Sequence, residues 1–113
     1  MPLIRLQLLL VFVAMFTIAC ASKSVQLPGN TMADQVLQRD AAQFIMLLES
    51  AEQSRCAQRK IVNTEVKEPP ADGGKDPWVE RWTVDRCGSL VYYRVRFTPS
   101  SGGGTDVAVT LWE

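Results

Sequence analysis

The residues with the most evident chemistry are three cysteines, Cys20, Cys56 and Cys87, in a chain of 113 residues that contains no histidine. Without histidine, Ser-His-Asp and Cys-His nucleophilic catalysis and every histidine-ligated metal site are excluded. Twelve basic residues balance twelve acidic residues, so the chain lacks the basic excess that is typical of nucleic-acid binding. We therefore expect a protein that is not an enzyme, has no metal or cofactor, and binds no nucleic acid.

Cys20 directly follows an export signal. Arg5 is the only charged residue before an apolar run over residues 8–16, and this stretch is too short to cross a hydrocarbon core of about 30 Å. The sequence Thr17-Ile18-Ala19-Cys20 resembles the lipobox of bacterial lipoproteins, although Thr17 stands where Leu, Val or Ile is usual. The resemblance implies cleavage before Cys20 and its modification by acyl chains such as palmitate.

The same resemblance implies a location in the cell envelope. Because Ala21 is not the aspartate that resembles an inner-membrane retention signal, we expect the inner leaflet of the outer membrane, with the domain facing the periplasm. Ala19-Cys20-Ala21 also fits an ordinary signal-peptidase site, which would release a soluble periplasmic protein. We divide the chain into a signal peptide (1–19), a lipidated cysteine with a flexible tether (20–30) and one globular domain (31–113).

Cys56 and Cys87 remain as an even pair in a chain predicted to reach an oxidising compartment, which predicts a disulfide. A bridge that closes a loop of about 32 residues stabilises a fold by about 3.7 kcal/mol on the chain-entropy model. The alternative, a redox-active pair, requires the Cys-x-x-Cys spacing that this chain lacks.

The elements that position these residues begin with an amphipathic helix. Asn30 or Thr31 is predicted to cap it, and it is expected to run for about six turns. Its polar residues, Glu49 among them, fall mostly outside the stripe that is expected to face the core. That stripe comprises Leu37, Ala41, Phe44, Leu48 and Ala51, widened by Ile45, Met46 and Leu47.

The second half of the chain changes to the period of two that is typical of strands. Strands are expected over residues 61–66, 78–86, 90–98 and 107–112. In the third of these, the residues predicted to point inward are Val91, Tyr93, Val95 and Phe97, and those predicted to point outward are Tyr92, Arg94 and Arg96. We predict an α+β fold in which one N-terminal helix packs on a four-strand antiparallel meander, with the disulfide joining the two layers.

A longer pattern runs through the strands. It reads Trp78-x-Glu80-x-Trp82-x-Val84-x-x-Cys87-Gly88, then Tyr93-x-Val95-x-Phe97-x-Pro99 and Gly103-Gly104-Thr105. This pattern resembles a family of small, uncharacterised lipoproteins of proteobacteria. The resemblance implies an envelope lipoprotein with an antiparallel sheet, and it supplies no activity and no functional residue.

Three residues are candidates for binding. Trp112 ends the last strand and combines a large surface with a polar N–H, and Arg94 and Arg96 lie on the outward strand face. Glu80, between two tryptophans, could serve acid chemistry with Asp85 as partner. The simpler interpretation pairs Glu80 with Arg94 or Arg96 at the margin of the sheet.

These observations predict a membrane-anchored envelope lipoprotein that acts as a non-catalytic binding or accessory module for an envelope assembly, through its helix or a sheet edge. One alternative is a cell-wall glycan binder or hydrolase that uses Glu80, Asp85 and the tryptophans. Another is a periplasmic hydrolase inhibitor that inserts the loop at 99–105. The glycine-rich part of that loop lacks the Gly-Lys-Ser/Thr ending of a phosphate loop, so no nucleotide is expected.

Overall fold

The computed structural model describes residues 26–73 and 75–113. Its elements in chain order are helix α1 (Gln35–Ala51) and strands β1 (Arg59–Glu68), β2 (Trp78–Arg86), β3 (Ser89–Pro99) and β4 (Thr105–Leu111). The strands form one antiparallel sheet in the order β1-β2-β3-β4, and α1 packs on one of its faces. The predicted architecture of one helix on a four-strand meander is confirmed. The predicted signal peptide and Cys20 lie outside the described residues.

Helix α1 begins later than predicted. Asp34 is its N-cap, and the Asp34 Oδ1 atom accepts a hydrogen bond of 2.9 Å from the backbone N–H of Leu37. The prediction of Asn30 or Thr31 as the cap is wrong, because the Thr31 hydroxyl instead accepts the N–H of Ala33 in a turn before the helix. The helix is 17 residues long. In the described part of the chain, no helix is long and apolar enough to cross a bilayer.

The face of α1 that contacts the sheet differs from the predicted stripe. Its buried residues are Gln38, Ala41, Ile45 and Glu49. Phe44 and Leu48, predicted to be in the core, are 48% and 42% exposed, and Leu47 and Ala51 are exposed as well. The reason is that the two buried polar residues have hydrogen-bond partners inside the fold, which removes the cost of burying them. Gln38, for example, donates from Nε2 to the carbonyl oxygen of Ala33 at 2.8 Å.

The sheet face under α1 forms the core, as the alternation in β2 and β3 predicted. Its largest buried members are Trp78, Trp82, Val84, Tyr93, Val95 and Phe97. The rings of Trp78 and Phe97 stack with centroids 4.8 Å apart across the two central strands. Both tryptophans of β2 are therefore core residues, which leaves Trp112 as the tryptophan on the other face.

The predicted disulfide between Cys56 and Cys87 is confirmed, with the two Cα atoms 5.8 Å apart. Cys87 and Gly88 form the two-residue turn between β2 and β3, with φ angles of 48° and 91°. Positive φ at both positions is the signature of a type I′ hairpin turn, which suits the twist of the strands. The bridge thus ties the connection between α1 and β1 to the central hairpin.

Residues 28–30, which lie at the end of the predicted tether (20–30), contact the sheet before α1 begins. The Asn30 N–H donates to the carbonyl oxygen of Thr64 in β1 at 2.9 Å, and the Thr64 hydroxyl donates to the Pro28 carbonyl oxygen at 2.8 Å. At Gly29 a Cβ atom would lie 2.2 Å from the Thr64 oxygen, so only glycine allows this close approach. Residues 28–30 therefore cover the middle of the outer edge of β1.

Candidate functional site

The candidate binding residues lie on the outer face of the sheet, which is the face opposite α1. Arg94 places its guanidinium carbon 5.5 Å from the centroid of the Trp112 ring, close enough for a cation–π contact. The backbone N–H of Trp112 donates to the carbonyl oxygen of Tyr92 at 2.9 Å, which fixes Trp112 at the end of β4. The structure thus brings Arg94 and Trp112 together, and it places Arg96 two residues further along β3 on the same face.

A second arginine on this face repeats the arrangement. Arg81 lies with its guanidinium carbon 4.8 Å from the centroid of the Tyr92 ring and binds Glu65 through its Nη2 and Nε atoms at 2.8 and 3.1 Å. The hydrogen bond from Arg81 holds the pKa of Glu65 below its ordinary value. Arg94 likewise binds Glu68, at 3.1 Å. Both arginines are therefore held across the sheet, each between a carboxylate and an aromatic ring.

Strand β4 is an open edge of the sheet in the part of the chain that the structure describes. Its outer face carries Asp106, Ala108 and Thr110, which are all small side chains, and the strand contains no lysine and no proline. Charged residues and proline are the usual protection of an edge strand against pairing with another chain. Since β4 has one acidic residue as its only charge, its edge is available for an additional strand.

The direction in which the β4 backbone groups point follows from the hydrogen bond that the Trp112 N–H donates to the Tyr92 carbonyl oxygen. In an antiparallel pair, alternate residues direct their N–H and C=O groups toward the partner strand. The Trp112 N–H points toward β3. The N–H groups of Val107, Val109 and Leu111, which are an odd number of residues away from Trp112, therefore point away from β3 and toward the open edge. Leu111 is also 58% exposed, so its backbone and side chain both face solvent.

Glu80 lies at a different place from the one predicted. Its side chain is 0% exposed and faces α1, with Oε2 accepting the Trp78 indole N–H at 2.8 Å and the Met32 backbone N–H at 3.1 Å. Oε1 accepts the Trp82 indole N–H at 2.9 Å. The predicted pairing with Arg94 or Arg96 is wrong, because both arginines lie on the outer face.

The predicted acid pair of Glu80 and Asp85 is not assembled either. β2 pairs with β3 without a bulge, so residues five positions apart lie on opposite faces of the sheet. Asp85 instead accepts the Gly88 N–H at 2.7 Å and stabilises the hairpin turn. In the structure, the carboxylate of Glu80 is enclosed by three N–H donors and is not accessible to a glycan.

Glu49 is a buried functional group that the sequence analysis placed on the solvent side of the helix. Its side chain is fully buried, and its Oε1 atom accepts the Arg86 Nε–H at 2.9 Å. Its Oε2 atom accepts a second bond from Arg86 and a bond of 2.5 Å from the Tyr93 hydroxyl. Arg59 donates to the Glu49 backbone carbonyl oxygen, with its Nη1 atom 3.7 Å from Oε1. The spacing of Gln38, Ala41, Ile45 and Glu49 along one helical line is the signal that could have revealed it.

Glu49, Arg86, Tyr93 and Arg59 form a buried cluster, and the contacts within it change the pKa values of Glu49 and Tyr93. The hydrogen bond from Arg86 lowers the pKa of Glu49 despite the opposing effect of burial. Burial and the hydrogen bond to Glu49 raise the pKa of Tyr93 to about 12. Each buried side-chain polar atom of the described residues has a hydrogen-bond partner, so the cluster is a closed internal network that holds α1 to the central strands.

No known protein family, curated protein or solved structure matches the chain. The described residues contain no group of three acidic or cysteine side chains that could hold a metal ion. The outer face of the sheet and the open edge of β4 are two accessible features that could bind a ligand.

Proposed function

We propose that this protein is a lipid-anchored protein of the bacterial cell envelope whose domain binds an extended segment of an envelope protein and catalyses no reaction. The proposal includes the lipoprotein signal over residues 1–19, acylation of Cys20 and a place in the inner leaflet of the outer membrane. It also includes membership of the small proteobacterial lipoproteins that the strand pattern resembles. Helix α1 would then be the first element of the mature protein.

The observation that supports binding most directly is the open edge of β4. A seven-residue strand with outward N–H and C=O groups can pair with an extended peptide, which gains affinity from backbone hydrogen bonds. Residues 28–30 cover the middle of the β1 edge. The β4 edge is thus the better of the two for a partner strand.

The residues next to this edge indicate the chemistry of the partner. Arg96 lies opposite Ala108, and Arg94 opposite Thr110. Strands are about 4.8 Å apart, so Arg96 can extend over the small side chain of Ala108 toward an added strand, whereas Arg94 is held toward β1 by Glu68. Carboxylates are the strongest complement of a guanidinium group. We therefore expect an extended segment with acidic side chains, and an apolar or aromatic side chain at its end near Trp112.

Photocrosslinking in intact cells tests this proposal. A photoreactive amino acid at Asp106, on the open edge, should give one discrete protein adduct, whereas the same amino acid at exposed Lys60 of β1 should not. Arg96→Glu should reduce the Asp106 adduct at least tenfold because it repels an acidic partner. Arg39→Glu, at an exposed helix position, is the matched control and should leave the adduct unchanged.

A backbone variant separates strand pairing from side-chain contact. Leu111→Pro removes an N–H group from the open edge and empties no core position, so it should reduce the adduct while the domain stays folded. The proposal fails if no adduct forms at the β4 edge, or if Arg96→Glu and Arg39→Glu have the same effect.

A cell-wall glycan is the second candidate, favoured by the ring of Trp112 on an open sheet face beside Arg94. Sugars stack on such rings, and this interaction needs no strand edge. Sedimentation with purified peptidoglycan distinguishes the two ligands. Glycan binding should be lost with Trp112→Ala and retained with Leu111→Pro, which is the opposite of what strand pairing predicts for the proline variant.

A further inference from the structure

Helix α1 carries a second apolar surface that no described element covers. We define it as the apolar stripe: Val36 (55% exposed), Phe44 (48%), Leu47 (67%) and Leu48 (42%). At 100° per residue these four side chains fall within an arc of about 120°, and they extend over about 18 Å of the helix. Asp40, Gln43, Phe44 and Leu47 line a shallow groove along it.

The apolar stripe adjoins the face that packs on the sheet at Leu48 and extends away from it to Leu47 and Val36. The buried residues Ala41 and Ile45 lie on the side of the helix that contacts the core, whereas Leu47 and Val36 lie more than a quarter turn away from them. Contiguous exposed apolar side chains of this size usually mark a surface that contacts a protein or a membrane.

The length of chain before the fold indicates what covers the stripe. The N–H of Leu27 donates to the side chain of Gln38 at 3.3 Å, so the chain is fixed to the first turns of α1 from Leu27 onward. Six residues lie between Cys20 and Leu27, and the seven steps from one Cα atom to the next span at most about 24 Å when fully extended. A lipid on Cys20 therefore keeps the start of α1 within roughly the length of the helix from the bilayer surface.

We propose that the apolar stripe of α1 lies on the bilayer that holds the lipid anchor. This inference depends on the proposed acylation of Cys20. Phe44, Leu47 and Leu48 are suited to the boundary between head groups and acyl chains, where amphipathic helices place such residues. Asp40 lies within the arc of the stripe, between Val36 and Phe44, and Arg39 lies outside it at the adjacent position. The two opposite charges leave no net attraction to charged head groups, so apolar burial dominates the contact and salt should change it little.

This orientation agrees with the use of the outer face for binding. The outer face of the sheet is on the side opposite α1, so it points away from the lipid and toward the periplasm. Arg94, Arg96 and Trp112 are then accessible to a partner while α1 is on the membrane.

Quenching by brominated lipids tests the orientation. The lipidated protein is extracted from membranes and reconstituted in vesicles of phosphatidylethanolamine and phosphatidylglycerol, with or without brominated acyl chains. Leu47→Trp adds a fluorophore to the stripe, and Ala108→Trp adds one to the exposed outer face of β4. After subtraction of the wild-type signal, the added tryptophan at position 47 should be quenched at least twofold more than that at position 108, at both low and high salt.

Three outcomes overturn the proposal and are distinguishable. Equal quenching of the two variants, in protein whose intact mass shows acyl chains, refutes the orientation and leaves the anchor intact. A blue shift at position 47 that grows with protein density and is independent of bromine shows that a second copy of the chain covers the stripe. A mass without acyl chains refutes the anchor and this orientation together.

Discussion

Replacement of Glu80 by glutamine removes a charge from the core, and we expect it to destabilise the protein. The side chain accepts three N–H groups, two at Oε2 and one at Oε1. Glutamine has one carbonyl oxygen and one NH₂ group in place of the two oxygens. In its best orientation it keeps the bonds from Trp78 and Met32 and turns its NH₂ group toward the Trp82 indole N–H, which then has no acceptor.

The size of the effect follows from these bonds. A buried donor without an acceptor costs about 1–3 kcal/mol, and two hydrogen bonds that lose a charged acceptor each weaken by about 1 kcal/mol. Glutamine is easier to bury than a carboxylate, which offsets part of the loss. We expect Glu80→Gln to lower the free energy of unfolding by about 2–4 kcal/mol, a large share of the roughly 5–15 kcal/mol of a typical domain.

Urea unfolding at neutral pH, with the disulfide intact and tryptophan fluorescence as the probe, measures this change. Glu68→Gln is the matched control, because the Glu68 side chain is 62% exposed and its ion pair with Arg94 is at the surface. The control should change the free energy of unfolding by less than about 1 kcal/mol. If Glu80→Gln stays within about 0.5 kcal/mol of the wild type with an unchanged m-value, the three N–H bonds do not stabilise the fold and the reasoning is wrong.

Four further predictions concern other parts of the fold. Because the pKa of Glu49 is lowered in the folded state, its contribution is present above about pH 4.5 and is lost as the pH falls below that value; acid titration of the urea midpoint should be less steep in Glu49→Gln. The pKa of Tyr93 is raised to about 12, so stability should fall as the pH rises from 10 toward 12, and Tyr93→Phe should remove this alkaline loss in the same assay. Replacing Cys56 and Cys87 together by serine should lower the free energy of unfolding by about 3.7 kcal/mol, and a loss under 1 kcal/mol would contradict the chain-entropy argument. Gly29→Ala should lower the thermal midpoint and increase hydrogen exchange in the middle of β1, which calorimetry and mass spectrometry can follow.

The fold was predictable because each of its signals is local. Alternation of apolar and polar residues at Tyr93, Val95 and Phe97 identified the inward face of β3, and the even number of remaining cysteines identified the Cys56–Cys87 bridge. The first signal depends only on the two-residue repeat of a strand, and the second only on the prediction that the chain reaches an oxidising compartment. They do not require knowledge of which side chains meet in space.

The buried carboxylates could not be predicted in the same way. A helical stripe defined by apolar residues alone predicts that Glu49 faces solvent and that Phe44 faces the core. Both predictions are wrong, because Glu49 is buried and Phe44 is exposed. Whether a carboxylate can be buried depends on donors far away in the sequence, as with Arg86 for Glu49 and Met32 for Glu80. Pairing of Arg94 with Trp112 likewise requires the register between β3 and β4, which the sequence does not give.

The contact of residues 28–30 with β1 also limits how many chains can join through their sheets. A sheet with two open edges can add strands from both sides and grow into a filament. Here a strand that ran along β1 would have to displace Gly29 and the bond from Asn30 to Thr64. If β4 binds a partner strand as proposed, growth would therefore end after that one addition, with one partner strand per domain, or a closed pair when that strand comes from a second copy.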